Sequence, residues 1–257
     1  MECALCRQER PLMKSHIVPE FAHKPMYDHK HRAVRLGYGE APRSIQKGLR
    51  ERLLCEDCEE VIQTSESYFA KYWYGTRPVP EKLDGDELLL TDIDYGQFKL
   101  FLLSVVWRAS VSRRPEFAGA ELGRHEGVMR KMLLAKSPGP ADQYPIYAGL
   151  IVEPHTREPW DRVMLAPLKI RVRSNWASRM VFGAVAWTVL TSSHQTLGLE
   201  SHFLTEAGEL RLAIFPWRDF VRASGLLEAV QGSRHDGVGQ RQQRLGDLQA
   251  NGDNASE

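Results

Sequence analysis

Two short cysteine pairs, Cys3-Ala4-Leu5-Cys6 and Cys55-Glu56-Asp57-Cys58, organise this chain of 257 residues. They contain all four cysteines, and the 48 residues at positions 7–54 lie between them. A CxxC turn places two thiolates on one side of a tight loop. Two such turns complete the tetrahedral four-sulfur shell that suits structural zinc. We therefore predict that Cys3, Cys6, Cys55 and Cys58 bind one zinc ion.

Disulfide bonds are the alternative use of these cysteines. Met1-Glu2-Cys3 begins the first pair at once, without a signal peptide, so we expect a cytoplasmic protein. Thiols stay reduced in that compartment, and paired CxxC spacing there favours a metal over a disulfide. No apolar run is long enough to span a bilayer, so we expect no membrane partner.

A histidine stands between the two pairs in Ser15-His16-Ile17-Val18-Pro19. The β-branched Ile17 and Val18 favour a strand, and Pro19 ends it. A neutral imidazole in such a place can take a proton from water. A structural histidine, or an additional metal ligand, is the other interpretation of the same residues.

These patterns together resemble the HNH, or ββα-metal, nuclease module on a treble-clef zinc scaffold. The resemblance rests on the first CxxC, on the Ser-His-Ile-Val-Pro variant of the base motif, and on Leu-Leu-Cys-x-x-Cys running into a helix. It covers residues 3 to about 72. It implies that His16 is the general base that activates water, and that a catalytic Mg or Mn ion accompanies the structural zinc.

The remaining positions of the family motif are occupied by other residue types in this chain. Ser15 stands where the family commonly has an acidic metal ligand. Arg50 stands at the position of the central asparagine, unless Gln46 replaces it through a shifted loop. Glu59 follows the second cysteine pair directly, and its oxygens can bind a hard cation.

A helix from Asp57 to Trp73 is predicted by apolar residues that recur at helical spacing. At this period Glu59 and Glu66 fall on one face. The resemblance implies that this helix packs against the hairpin carrying His16. We therefore predict Glu59 and Glu66 as catalytic residues that hold the cation. A solvated acidic face is the alternative.

Positive charge is concentrated between the cysteine pairs, although the whole chain has a formal net charge of only +1. Residues 10–52 contain ten lysines and arginines against four acids, a local net charge of +6. We predict that this segment contacts nucleic-acid phosphates. The candidate nucleic-acid-binding residues are Arg43, Lys47, Arg50 and Arg52. A solvated loop is the alternative.

The rest of the chain predicts an α+β fold, in which the N-terminal treble-clef module precedes a domain of helices and an antiparallel or mixed sheet. The patterns predict helices at Tyr95–Arg113 and Ala120–Ala135, and strands at Ile146–Val152, Val163–Val172, Met180–Leu190 and Glu209–Phe215. We divide the chain into an HNH-like zinc module (1–75), an α+β accessory domain (76–231) and a disordered tail (232–257).

Three functions are compatible with these observations. The first is a metal-dependent HNH-type endonuclease that hydrolyses phosphodiester bonds of nucleic acid, with DNA as the expected partner. The second is a zinc-dependent nucleic-acid-binding protein whose nuclease site has decayed, which Ser15 and the absent asparagine favour. The third is an interaction module that recognises a protein or a small ligand.

Overall fold

A computed structural model describes residues 1–27, 33–35, 43–45, 48–76, 79, 81–84, 86–161, 163–192 and 198–223. Gln46, Lys47, the side chain of Arg43 and the predicted tail at 232–257 lie outside the described residues.

The described residues form five α-helices and eleven strands. The helices are α1 (Glu20–His23), α2 (Glu56–Tyr74), α3 (Tyr95–Val111), α4 (His125–Leu134) and α5 (Trp217–Ala223). The strands are β1 (Lys14–His16), β2 (Ala33–Arg35), β3 (Arg43–Ile45), β4 (Arg50–Arg52), β5 (Glu81–Asp84), β6 (Glu87–Leu90), β7 (Ile146–Val152), β8 (Leu165–Val172), β9 (Asn175–Phe182), β10 (Val185–Leu190) and β11 (Leu210–Pro216).

Seven strands form one curled sheet in the order β5-β6-β11-β7-β10-β9-β8. β7 and β11 run parallel, and the other neighbouring strands run antiparallel. The parallel pair is possible because the long connection between β7 and β11 contains three other strands. The predicted α+β class is confirmed, and the sheet is mixed, one of the two arrangements predicted.

The strand structure predicted at Met180–Leu190 is present, but as two strands rather than one, because the chain reverses there into the β9–β10 hairpin. Gly183 and Ala184 form a two-residue turn with φ of +59° and +62°, which matches the right-handed twist of the strands. A Cβ at Gly183 would collide with the Trp73 indole and the Tyr74 hydroxyl of α2. Glycine is therefore needed here for both the turn and the close approach of the helix.

The helix predicted at Ala120–Ala135 begins later, at His125. Ala120 and Leu122 are buried, as an apolar helix face would be, but they lie in the connection before α4. Gly123 has a φ of +53°, which an α-helix cannot accommodate, so it separates these two residues from the helix.

The main core lies between α2, α3 and one face of the large sheet, and Phe69 of α2 stands at its centre. Its ring centroid lies 4.1 Å from that of Phe101 in α3 and 5.6 Å from that of Trp187 in β10. The segment 1–75 and the segment 76–231 thus share this core, and their division at residue 75 stays a prediction. Among the described helices, none combines the length and the apolar character needed to cross a bilayer.

Candidate functional site

The four cysteines are brought together from the two ends of the 1–58 segment. Their Sγ atoms all lie within 4.8 Å of one another, and those of Cys6 and Cys55 are 3.8 Å apart. A tetrahedral shell with Zn–S bonds of about 2.3 Å requires sulfur–sulfur distances of about 3.8 Å. The predicted set is therefore placed to bind one metal ion, and four sulfur donors suggest zinc.

The backbone around each CxxC turn explains this convergence. Cys55 is the N-cap of α2 and Cys58 lies in its first turn, so both thiols sit at the positive end of the helix dipole. The first turn is held against the second by the Ala4 amide, which donates to the Leu53 carbonyl at 3.1 Å. The Cys55 amide donates to Cys3 Sγ at 3.3 Å, a contact that stabilises a thiolate.

The thiol pKa values differ within the cluster. Burial raises the pKa of Cys3, but amide donors from Cys55, Cys6 and Leu5 outweigh this effect and lower it to about 7. Burial raises the pKa of Cys58. Metal binding requires thiolates, so binding releases protons and its affinity depends on pH.

His16 lies on a two-stranded ribbon beside the cysteine cluster. β1 and β4 pair antiparallel, with Lys14 opposite Arg52 and His16 opposite Arg50. Because side chains alternate along a strand, these four residues share one face of the ribbon. We call this face, Lys14, His16, Arg50 and Arg52, the basic face. Lys14, Arg50 and Arg52 are exposed, and the His16 side chain is 21% exposed.

Two charged side chains contact the His16 ring at the same nitrogen. Arg50 Nε lies 2.7 Å from His16 Nε2, and Glu20 Oε2 from α1 lies 2.9 Å from it. Burial, followed by the positive charge of Arg50, lowers the pKa of His16, while Glu20 and Glu66 act in the opposite direction. The lowered pKa favours the neutral imidazole, the form that can accept a proton.

The other face of the ribbon points toward the helices. Ser15 Oγ donates to Glu59 of α2 and accepts from the Leu54 amide at 3.3 Å. Glu66 of α2 pairs with the buried Arg108 of α3 at 2.6 Å. Burial raises the pKa of Glu59. Both predicted carboxylates thus lie on one side of α2 with partners of their own, and their role as cation ligands stays a prediction.

Arg108 connects this carboxylate pair to the histidine strand. It is 1% exposed, and its Nη1 donates to the His16 carbonyl at 2.8 Å. Its Nε donates to the Ser104 carbonyl of its own helix at 3.3 Å. A rigid guanidinium thereby fixes the backbone of His16 relative to α2 and α3.

Sequence reasoning missed Glu20, His23 and Arg108. Glu20 and His23 belong to α1, which starts directly after Pro19; a proline before a helix start is a usable signal. His23 is 1% exposed, and neither ring nitrogen makes a hydrogen bond of acceptable geometry with a described residue. Burial lowers the pKa of His23. No local sequence pattern marks Arg108 as a site residue, because an arginine near the end of an apolar helix is usually expected to face solvent.

The four predicted nucleic-acid-binding residues are only partly described. Arg50 and Arg52 lie on the basic face, while Arg43 belongs to β3, which pairs with β2.

Comparison of this chain with protein-family models, with curated proteins and with solved structures found no match, so the resemblance to HNH nucleases stands on the residues alone.

Proposed function

We propose that this protein is a metal-dependent HNH-type endonuclease that hydrolyses phosphodiester bonds of DNA, with His16 as the general base. The observation that carries the proposal is the position of His16 on the basic face. A partly exposed imidazole with a lowered pKa lies among Lys14, Arg50 and Arg52, next to a cysteine cluster placed to bind a metal ion. Positively charged side chains around a general base attract the phosphate at which the activated water reacts.

Each residue has a part in this reaction. His16 Nε2 takes the proton of the attacking water, and Glu20 stabilises the imidazolium that forms, because the carboxylate lies 2.9 Å from the same nitrogen. Arg50 donates to that nitrogen in the free protein and must turn to the substrate phosphate, where a guanidinium binds well. Glu59 and Glu66 would hold Mg or Mn after releasing Ser15 and Arg108, and this ion would polarise the scissile phosphate.

A plasmid-nicking assay tests the proposal. Purified protein is incubated with supercoiled DNA and with Mg, Mn or neither, and zinc content is measured before and after each incubation. We expect nicking only with added Mg or Mn, at constant zinc content. Nicking without added cation from protein that holds only zinc would contradict a separate catalytic ion.

The pH dependence of cleavage should reflect the lowered pKa of His16. The base acts only when neutral, so the acid limb of kcat/KM is expected below pH 6.5, the ordinary value for histidine. Arg50→Met removes a charge that lowers this pKa, so its limb should move to higher pH. Glu20→Gln removes a charge that raises it, so its limb should move to lower pH.

The same pKa can be followed by NMR titration of the imidazole, which does not depend on cleavage. Glu66 and His23 also face the ring environment, so both are kept unchanged in these variants. If the acid limbs of Arg50→Met and Glu20→Gln shift in the same direction, or each opposite to the direction expected, His16 is not the group that titrates.

Binding to DNA should depend on the two arginines of the basic face. The double variant Arg50→Gln/Arg52→Gln is expected to bind more weakly to all sequences and to reduce the slope of log K against log salt by about 2. Fluorescence anisotropy with a labelled duplex over a range of NaCl concentrations measures this slope. Lys131→Gln/Lys136→Gln, which neutralises two exposed lysines elsewhere, is the control. An equal loss in both double variants would place the binding face elsewhere.

A zinc-dependent nucleic-acid-binding protein without cleavage is the second candidate. The contact between Arg50 and His16 favours it, because Arg50 Nε occupies the lone pair that a base needs. Arg50 also stands at the position where the family resemblance places an asparagine. Salt-sensitive binding without nicking in Mg and in Mn would select this function over the nuclease.

A further inference from the structure

The face of the large sheet that points away from α2 and α3 contains a cavity of about 350 Å³. Its floor is lined by small residues on three adjacent strands, Gly149, Ala186 and Ala213, and the Phe215 ring lies against Gly149. Phe215 and Phe220 form one wall, and their stacked ring centroids lie 6.1 Å apart. The volume falls at the lower end of the range for small-molecule sites, about 300–1,000 Å³.

A row of three polar side chains crosses this cavity. Thr188 of β10 pairs directly with Arg179 of β9 and with Tyr147 of β7, so the three side chains lie side by side on the same face. Arg179 Nε donates to Thr188 Oγ1 at 3.1 Å, and its Nη2 donates to the Tyr147 hydroxyl at 3.3 Å. Two hydroxyls thus fix the guanidinium in place without neutralising its charge.

Arg179 lacks an acidic partner among the residues that the structure describes, whereas His202 and Asp219 of the lining each lie beside a side chain that can pair with them. His202 Nε2 lies 2.7 Å from Glu87, and Asp219, 61% exposed at the rim, lies 4.0 Å from Arg222. A partly buried charge without a counter-ion is costly. A carboxylate is the group that a guanidinium binds best, through two parallel hydrogen bonds.

We propose that this cavity binds a small monocarboxylate with an aromatic or branched aliphatic body. The carboxylate pairs with Arg179, and the apolar body lies on the small-residue floor against Phe215 and Phe220. The site is independent of the basic face, since no residue is shared between them.

Calorimetric titration of the full chain with matched ligands tests this site. The series consists of benzoate, phenylacetate, 3-phenylpropanoate and 4-methylpentanoate, each beside its uncharged amide. We expect saturable binding of at least one acid and an affinity at least tenfold lower for its amide. Benzenesulfonate and phenylphosphonate test other anions, and binding of either one more tightly than every acid would overturn the carboxylate assignment.

Three variants locate the binding. Arg179→Met should lower the affinity for the acid at least tenfold, and Ala213→Leu should do so by filling the cavity while Arg179 is retained. Arg171→Met, at an exposed arginine of β8 that does not line the cavity, should bind as the wild type does. If circular dichroism shows that Arg179→Met does not fold, the test rests on the affinity of Ala213→Leu for the acid and on the affinity of the wild type for the amides.

The proposal is overturned if no acid binds saturably up to about 5 mM, beyond the weak affinities near 1 mM that such ligands can have. It is equally overturned if a folded Arg179→Met variant binds the acid as tightly as the wild type does. The same holds if the wild type binds the amide as tightly as the acid. Nuclease activity enters none of these measurements, so either proposal can fail without the other.

Discussion

Replacing Cys55 by serine is expected to release the zinc ion and to disorder the N-terminal module. Zinc binding by such four-ligand sites contributes about 10–16 kcal/mol in peptides, as much as the whole stability of a typical domain. The expected disorder follows from the lost metal, because serine is a favoured N-cap residue and the residue-55 amide that donates to Cys3 Sγ is retained. Zinc content by mass spectrometry should fall from one ion per chain to near none.

Hydrogen exchange should show where the disorder ends. Amides of β1, β4 and the first turn of α2 should lose protection, whereas those around Phe69 should keep it, because its ring is held by Phe101 and Trp187. Met13→Ser is the matched control, since Met13 is exposed in the same module and keeps all four thiols. Freshly purified, reduced wild-type protein without zinc would contradict the site.

Replacing His16 by alanine is expected to reduce DNA cleavage by about two to four orders of magnitude, the usual contribution of a general base. The side chain lies on the basic face, and the Arg108 contact that holds this strand is made by the His16 carbonyl. The substitution should therefore leave zinc content and folding unchanged. Single-turnover nicking with saturating Mg measures the chemical step directly.

His155→Ala is the matched control, because His155 is an exposed histidine remote in sequence from the ribbon. If His16→Ala cuts as fast as the wild type, the assignment of the base is wrong. If the wild type itself cuts no substrate but still binds DNA, the binding function replaces the nuclease. If the wild type has no affinity for any nucleic acid, the remaining function is that of an interaction module that recognises a protein or a small ligand.

The long helices α2 and α3 and the cysteine cluster were predictable because their signals are local. Two CxxC turns specify sulfur pairs by spacing, and the apolar stripe of α2 gave its bounds to within one residue at each end. The β9–β10 turn was missed because Gly183-Ala184 lies within a continuous apolar run. The turn consists of two residues with positive φ, and Gly183 packs against Trp73 of α2. This contact depends on tertiary structure and is not visible in the local sequence.

The neighbours of His16 show the same limit. Helical spacing placed Glu59 and Glu66 on one side of α2, but the carboxylate that contacts the imidazole is Glu20, on a helix of four residues. Periodicity establishes which residues share a face. It does not establish what that face meets, since this depends on the packing of elements distant in the chain.

The sequence by itself predicted the four-sulfur cluster and the α+β class, because each CxxC pair and each periodic segment is a local signal. Only the tertiary structure decided the partners of His16 and the cavity around Arg179. Arg179, Thr188 and Tyr147 lie on three strands and meet only through sheet register, which side-chain periodicity within one strand does not specify.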